Sequence, residues 1–446
     1  MKPLHRGIPI ITLLLAGAVC VLSLWQAAEH IHTVMQEVPF DHAIFTQVGH
    51  AFWQSGELYP RVTAPYPTFM PGAAVFKFPP MYQLAIAPWV RHSITDAYYH
   101  AAYLVVLTLY VIAVLLLVQQ VNRPFFSVQR FSIDVALFPL LAITIASLYE
   151  PFYNSFMLLV GELPILFFCT VALTLLTTRS SFAGAIIATA ACAKLYPAFL
   201  LLAVFLQPTH KQRLYFVTGF IAGAAFWCSL SIMLFGWQEH LYYWQHILPV
   251  LLQEKPMSLA GNLNIVFFLF PHGITHVMAE QVFHGIRLFL LAGCALMLFR
   301  YHRAAHHLNT PHHTVLAYST LLTTMVLWLA NTWIQYELLL LLPALVALQR
   351  CLAQRQPVLL ICAALILLSL LSSDDLRDRL FNDALQDPAL YTLVMNTPNP
   401  DWIFIATHTP IAWLTGVLHE YKPVAPYALW GLLGILFYQR ADTITT

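Results

Sequence analysis

The sequence predicts an all-α polytopic membrane protein, and three observations lead to that prediction. Only 9% of the 446 residues are charged, whereas a soluble domain carries about 25%. Hydrophobic residues make up 59% of the chain, which is more apolar surface than one protein core can hide, so lipid must cover the rest. Runs of about 18 or more apolar residues, each long enough for a helix that crosses a bilayer, recur along the chain.

The apolar runs divide into a long and a short set. The long runs are Ile8–Ala28, Ala97–Val121, Phe131–Leu148, Ser155–Thr178 and Tyr215–Phe235. The shorter or interrupted runs are His284–Phe299, Val315–Leu329, Leu338–Leu348, Val358–Leu371, Trp402–Val417 and Ala425–Tyr438. We therefore expect roughly 10 to 13 transmembrane helices. They should form a single membrane domain over residues 1–446.

Basic residues predict which side of the membrane each loop faces, because cytoplasmic loops are rich in Lys and Arg. They cluster at Lys2 and Arg6, Arg123 and Arg130, Arg179, Lys211 and Arg213, Arg300 and Arg303, Arg350 and Arg355, and Arg440. These positions are predicted to be cytoplasmic. The long first loop, residues 29–96, is then external.

This orientation requires a re-entrant segment. Arg179 and Lys211 would both be cytoplasmic, so Phe182–Gln207 must enter the membrane and return as two short helices. The break is predicted at Lys194-Leu195-Tyr196-Pro197, because Pro197 lacks the N–H that a continuous helix uses. A lysine is costly in lipid, so the break should line a protein cavity or a water-filled one.

The external loop contains a short amphipathic helix. Ile44, Val48 and Phe52 recur at helical spacing and Gly56 follows them, which predicts a juxtamembrane helix on the membrane surface. Asp41, at its start, has two interpretations: it caps the helix N-terminus, or it acts as a general base on an acceptor hydroxyl.

A proline-rich stretch follows this helix. Phe78-Pro79-Pro80-Met81-Tyr82 predicts stiff backbone folded back over the membrane. Lys77 precedes it and has two interpretations of its own: it snorkels to the interface, or it binds a lipid phosphate at headgroup depth.

These motifs resemble glycosyltransferase family 87, the mycobacterial-type mannosyltransferases of the GT-C class. The resemblance rests on Asp41, Gly56-Glu57-Leu58-Tyr59, Phe78-Pro79-Pro80, Gly161-Glu162-Leu163-Pro164, Lys194-Leu195-Tyr196-Pro197, Gly261-Asn262-Leu263-Asn264, Asn331-Thr332-Trp333-Ile334-Gln335-Tyr336 and Leu342-Pro343-Ala344. Two places depart from the family. Glu162 stands where relatives often carry Gln, and Ile334 and Gln335 stand where many carry His.

The resemblance implies a GT-C type fold and an inverting, metal-independent sugar transfer at the external face of a bacterial inner membrane. The donor would be a polyprenyl-phosphate sugar, with mannose the family's commonest sugar. The acceptor would be a membrane glycolipid or glycan. The enzyme would need no cofactor. Asp41 would be the catalytic base. The donor phosphate would bind Lys77, Lys194 and Arg91, and the sugar or acceptor would bind Tyr59, Glu162, Asn262, Trp333 and Tyr336.

Other readings stay open beside this one. Intramembrane Glu162 and Lys194 could form the pathway of a transporter or flippase for a lipid-linked sugar, or could simply neutralise each other. His302, His306, His307, His312 and His313, and the pair Asp374-Asp375, suit solvated polar loops better than metal sites. Lys plus Arg (21) nearly equals Asp plus Glu (20) without a basic tract, so no nucleic acid partner is expected.

Overall fold

A computed structural model of the protein describes residues 10–59, 61, 78–91, 94–126, 133–253, 276–303, 311–329, 334–354, 356–371 and 422–439. Every regular element in these ranges is helical. In the described part, five helices are long and apolar enough to cross a membrane: Thr12–Val34, Asp96–Val121, His210–Phe235, Gln281–Arg303 and Gln335–Gln354. Shorter apolar helices accompany them at Leu137–Leu148, Glu162–Leu175, Ser180–Ala193, Tyr196–Leu206 and Pro357–Leu371. The predicted all-α polytopic membrane fold is confirmed.

The α-helices of the described ranges are numbered here in chain order. They are α1 (Ile10–Val34), α2 (Phe40–Ser55), α3 (Asp96–Phe126), α4 (Ile133–Leu148), α5 (Glu150–Leu158), α6 (Glu162–Leu175), α7 (Ser180–Ala193), α8 (His210–Phe235), α9 (Trp237–Tyr242), α10 (Leu248–Gln253), α11 (His276–Arg303), α12 (Pro311–Trp328), α13 (Leu341–Gln354), α14 (Pro357–Leu371) and α15 (Ala425–Tyr438). Between them lie 3₁₀ segments at Pro80–Ala85, Tyr196–Leu206, Ile334–Leu340 and Lys422–Val424, and a π-helical turn at Tyr243–Ile247.

A large apolar core lies between α3–α7 and α11–α15. Buried tyrosines of this core donate to backbone carbonyls of neighbouring helices, which satisfies their hydroxyl groups. Tyr318 of α12 donates to the Cys169 carbonyl of α6 over 2.9 Å, and Tyr110 of α3 donates to the Ala146 carbonyl of α4 over 2.8 Å. On α8, by contrast, the apolar side chain of Met233 is 83% exposed. Lipid contact explains such exposure on a helix long enough to cross a bilayer.

The re-entrant segment has the predicted form. α7 ends at Ala193, and the 3₁₀ segment Tyr196–Leu206 runs back after a break at Lys194 and Leu195. At their usual rises α7 spans about 21 Å and the 3₁₀ segment about 22 Å. Both are shorter than the bilayer's hydrocarbon core of about 30 Å, so the break lies within the depth of the bundle.

Glycines bring α7 against α8 with their backbones in contact. A Cβ atom on Gly184 would overlap the Phe216 carbonyl oxygen, and a Cβ on Gly219 would overlap the Ser181 carbonyl oxygen. Only glycine fits at either position. The close contact gives α7, and therefore the break that follows it, a rigid support.

Contacts between elements define two ends of the bundle. Tyr301 Oη of α11 donates to the Leu206 carbonyl over 3.4 Å and bonds Thr314 Oγ1 of α12 over 2.7 Å. These residues mark what we term the far end. Lys194 precedes the opposite end of the 3₁₀ segment Tyr196–Leu206, and α2 lies at that same end of the bundle. We term that the Asp41 end.

Candidate functional site

Lys194 occupies the break after α7. Its backbone is extended (φ -140, ψ 135) and its N–H closes the helix by donating to the Ala190 carbonyl. Pro197 opens the next segment, so the chain cannot continue as a regular α-helix here. The Lys194 side chain is only 5% exposed, and a buried cation requires a partner.

Glu162, in the first turn of α6, is that partner. Lys194 Nζ donates to Glu162 Oε1, and the Glu162 side chain is fully buried. The positive end of the helix dipole also favours a carboxylate in a first turn. The pairing proposed for these two residues from the sequence is therefore present.

Aromatic rings surround the Lys194 ammonium. Its Nζ atom lies 4.8 Å from the centroid of the Phe78 ring and 5.2 Å from that of Tyr336, within the range of cation–π attraction. Phe78 stacks on Tyr82 with centroids 4.7 Å apart, and Tyr196 meets Tyr336 edge-on at 5.5 Å. The rings hold the cation at a fixed point of the Asp41 end.

Asp41 is the second residue of α2. Pro39 occupies the N-cap position, and no side chain caps this helix, so the capping interpretation of Asp41 is wrong. Burial raises the pKa of Asp41, the charge of Lys194 opposes that rise, and the charge of Glu162 adds to it. The Asp41 carboxylate is half-buried and forms no hydrogen bond or ion pair with the described residues. It is thus electrostatically coupled to the Lys194–Glu162 pair and free to accept a proton.

His42, the neighbour of Asp41, has a structural role. Its Nε2 atom lies 2.9 Å from Tyr98 Oη of α3, and the two rings stack with centroids 5.6 Å apart. Burial lowers the pKa of His42 to about 4, so this imidazole is neutral at physiological pH. It ties the start of α2 to the start of α3.

Close packing fixes α2 against residues 80–90. A Cβ on Gly49 would lie 2.9 Å from Val90 Cγ2 and 3.1 Å from Ala87 Cα. Trp53 Nε1 donates to the Ala87 carbonyl over 2.7 Å, and Gln83 Nε2 donates to the Phe45 carbonyl over 3.1 Å. These contacts set the position of Asp41.

Tyr59, predicted to bind sugar or acceptor, is 1% exposed. Its hydroxyl donates to the Phe78 carbonyl over 2.7 Å, and its ring lies 6.1 Å from those of Tyr242 and Tyr243. This burial leaves no open face for stacking on a sugar. Tyr59 instead supports Phe78, which contacts the Lys194 ammonium.

A charged contact holds the chain on both sides of Tyr59. Arg61 pairs with the buried carboxylate of Glu239 and stacks over the Tyr242 ring at 4.2 Å. Glu239 also accepts the Leu58 N–H over 3.0 Å. Burial raises the pKa of Glu239, and the Leu58 N–H and Arg61 counter that rise. Arg61 thus anchors the residues after Tyr59 to α9 by an ion pair.

Arg91 stands apart from the other predicted residues. Its guanidinium lies 4.7 Å over the ring of Trp53, near the C-terminus of α2. Trp53 lies twelve residues after Asp41, about 18 Å along the helix. The structure therefore does not bring Arg91 to the Asp41 cluster. Three other predicted residues, Lys77, Asn262 and Trp333, lie outside the described residues.

Several buried polar atoms on α5, on α6 and after the break at Lys194 lack partners in the described part of the chain. Among the described residues, no hydrogen-bond partner meets Glu162 Oε2, the Tyr196 hydroxyl, Asn154 Oδ1 or Ser155 Oγ. Native proteins pair nearly all such atoms. Glu162 Oε2 belongs to the side chain that pairs with Lys194, and Tyr196 lies two residues after Lys194, so these two atoms are close to the ion pair.

Sequence reasoning missed Tyr82, Tyr196 and Arg287. Tyr82 is coupled to both Glu162 and Asp41, and burial raises its pKa well above the usual value, so its hydroxyl stays protonated as a donor. Tyr82 and Tyr196 lie within quoted motifs but carry no charge to single them out. Arg287 could have been found, because a lone arginine in an apolar run is a functional signal by itself.

Arg287 lies at the Asp41 end of α11. Its Nε atom donates to the carbonyl of Trp328, the last residue of α12, over 2.8 Å. Its guanidinium stacks 4.1 Å over Phe283 and 5.2 Å over Trp328. Trp328 in turn packs against Phe199, one turn from Tyr196. In the described part of the chain Arg287 forms no ion pair, so it is a cation available to an anion.

Metal ligands are not grouped in the described part of the chain. No cluster of three or more His, Cys, Asp or Glu side chains there is placed to hold a metal ion. The histidines between positions 302 and 313 lie partly outside that part, and Asp374-Asp375 lies wholly outside it.

Comparison with known proteins gives the site its context. The family model for glycosyltransferase family 87 matches residues 76–330, which is more than half of the 446 residues. The chain belongs to glycosyltransferase family 87. No curated protein and no solved structure matches it.

Membership of glycosyltransferase family 87 decides between the two function classes in favour of the enzyme. The matched segment contains Phe78, Glu162 and Lys194, but Asp41 and Tyr336 lie outside it. The family assignment therefore supports sugar transfer without identifying the base. That identification depends on the geometry around Asp41.

Proposed function

We propose that this family 87 glycosyltransferase transfers a sugar, mannose, from a polyprenyl-phosphate donor to a membrane glycolipid or glycan. The site faces the external side of a bacterial inner membrane, and the anomeric carbon is inverted. One observation carries the proposal. The Asp41 carboxylate, which has no hydrogen-bond or ion-pair partner among the described residues, lies in the electrostatic field of a buried Lys194–Glu162 pair.

Asp41 acts as the base in a single displacement. The acceptor hydroxyl oxygen forms a bond to the anomeric carbon while the bond from that carbon to the phosphate oxygen breaks. The hydroxyl proton passes to Asp41, whose raised pKa makes it a better base than an exposed aspartate. The polyprenyl phosphate leaves with the electron pair on the side away from the acceptor, so configuration inverts.

The departing phosphate gains negative charge and needs cations or N–H donors. Lys194 offers N–H groups beyond the one bonded to Glu162, and Arg287 offers a guanidinium without a carboxylate partner among the described residues. The Tyr82 hydroxyl, kept protonated by its raised pKa, can donate to the phosphate or to the sugar. Lys77 directly precedes Phe78 and remains a proposed phosphate ligand.

Sugar hydroxyls suit the unpartnered oxygens of the site. Glu162 Oε2 accepts from a hydroxyl, and the Tyr196 hydroxyl donates or accepts. The exposed part of the Tyr336 ring offers a face for stacking. Asn262 and Trp333 are proposed to complete the acceptor side.

The proposal is tested by a donor panel. Purified protein is incubated with radiolabelled polyprenyl-phosphate sugars, or with nucleotide sugars, together with lipid extract from the host membrane. A new labelled glycolipid from polyprenyl-phosphate mannose is expected, and the Asp41→Asn variant should not produce it. Transfer from nucleotide sugars alone would exclude the lipid-linked donor. Asp96→Asn is the matched control, because Asp96 is an exposed first-turn acid at the start of α3.

A further inference from the structure

Arg350 is a buried cation at the far end of the bundle, away from the transfer site. Its side chain, near the end of α13, is 3% exposed. Its Nε, Nη1 and Nη2 atoms all lack a hydrogen-bond partner among the described residues. A guanidinium removed from water in this way is unfavourable unless an anion accepts from it.

The guanidinium lines a small pocket between α3, α12 and α13. Gln120, Gln349 and Arg350 supply its polar groups, and Val315, Leu316 and Val346 supply apolar wall. Gln354, one helical turn beyond Arg350, also has an amide nitrogen and oxygen without partners in the described chain. The pocket and its edge therefore hold more donors than the described residues satisfy.

The pocket lies on the side opposite to Asp41. Val315 and Leu316 follow Thr314, whose hydroxyl bonds Tyr301 at the far end. Arg179, Lys211, Arg213, Arg300 and Arg303 also lie at helix termini of this end. Basic residues collect on the cytoplasmic side of membrane proteins, so the pocket opens toward the cytoplasmic leaflet.

We propose that the Arg350 pocket binds the phosphate group of an anionic phospholipid of the cytoplasmic leaflet. A planar guanidinium fork matches two phosphate oxygens, and glutamine amides donate to the remaining ones. The apolar wall of Val315 and Val346 contacts the glycerol and the first methylene groups of the acyl chains. Basic pockets between membrane helices bind lipid headgroups by the same chemistry.

Lipid-dependent thermal unfolding of the delipidated full-length protein in detergent tests the assignment. Phosphatidylglycerol should raise the melting temperature more than phosphatidylcholine does, because a ligand of the native state stabilises it by mass action. The midpoint is the phosphatidylglycerol concentration that gives half of the maximal rise in melting temperature, and Arg350→Gln should increase it by about tenfold or more. Arg179→Gln, which removes an exposed arginine at the same end, should leave the midpoint unchanged.

Equal midpoints in wild type and Arg350→Gln would overturn the proposal. If Arg350→Gln does not fold, Gln349→Ala decides, since it keeps the cation: a higher midpoint supports the site and an unchanged one refutes it. Inorganic phosphate is titrated in parallel. If millimolar phosphate alone reproduces the shift and competes with phosphatidylglycerol, the anion site stands and its lipid source is wrong.

Discussion

Lys194, in the break between α7 and the 3₁₀ segment Tyr196–Leu206, forms a buried ion pair with Glu162 of α6, and 5% and 0% of their surfaces are exposed. Each charge is costly at this depth without the other. Asp41 lies close enough to be influenced by both charges, and in opposite directions. The pair therefore affects both the stability of the fold and the pKa of Asp41.

Removing Lys194 alone should destabilise the protein. Lys194→Met leaves Glu162 buried with an uncompensated charge, and we expect a loss of about 3–5 kcal/mol. The double change Lys194→Met with Glu162→Gln should recover most of that loss. Thermal unfolding of wild type, both single variants and the double variant measures the coupling between the two residues.

Activity of the double variant separates two roles of Lys194. If the ammonium also binds the donor phosphate, the stable double variant should remain impaired in polyprenyl-phosphate binding. Lys194→Arg should recover only part of that binding, because a planar fork does not replace a compact ammonium between two rings. A fully active double variant would remove the phosphate role and leave Lys194 as a structural cation.

Asp41→Asn should abolish transfer with little effect on donor binding. The amide keeps the shape of the side chain but cannot take the acceptor proton, and general bases contribute about 100-fold to 10,000-fold in rate. Initial rates and donor affinity are compared with those of Asp96→Asn. Residual turnover above about a tenth of wild type would mean that another group is the base.

The local features of the site followed from the sequence. Gly56 ends α2 in the left-handed conformation (φ 79), as a glycine after an amphipathic run predicts. The break at Lys194 followed from a proline and a charge inside an apolar run. Both signals act within a few residues, so they do not depend on the rest of the fold.

Contacts between distant elements did not follow from the sequence. Membrane helices are apolar on every side, so hydrophobic spacing does not reveal which face packs inward. The burial of Tyr59 and the separation of Arg91 from Asp41 both depend on how α2 docks on residues 80–90. The unpartnered atoms of Glu162 and Tyr196 also appear only when the helices are assembled.

The pH dependence of transfer should report the ionisation of Asp41. The folded pKa of Asp41 lies above the ordinary value of 3.8. The acid limb, in which kcat/KM rises with pH, should therefore have its midpoint above that value. Glu162→Gln removes the like charge and leaves Lys194 unpaired, so the limb should move to lower pH. An acid limb that does not move in this variant would show that the two carboxylates are not coupled.

Asp41 should also make stability depend on pH in a defined direction. Since its folded pKa is raised, its contribution to stability is present at acid pH, below its unfolded pKa, and is lost as pH rises through the folded pKa. Asp41→Asn should therefore flatten the decline of melting temperature between the ordinary pKa of 3.8 and the raised folded pKa. An identical decline in wild type and variant would contradict the burial of this carboxylate.

Sidedness can be measured independently of activity. A cysteine introduced at Gln54 or Glu57, which are exposed near the end of α2, should react with an impermeant thiol reagent added to intact spheroplasts. The native cysteines are replaced first. A cysteine at Arg179, at the far end, should react only after lysis. The reverse pattern would invert the proposed orientation.

Gly49→Ala should lower activity by moving α2 rather than by removing a chemical group. The added Cβ would lie 2.9 Å from Val90 Cγ2 and 3.1 Å from Ala87 Cα; the valine can rotate, but the backbone atom cannot without displacing residues 86–90. Overpacking of this kind costs about 1–3 kcal/mol. Because α2 carries Asp41, the rate of transfer should fall while the affinity for donor changes less.

Gly17→Ala is the matched control, since nothing lies within 4 Å of its added Cβ in α1 and alanine favours a helix. Unchanged rates in Gly49→Ala would mean that the position of Asp41 does not depend on the docking of α2.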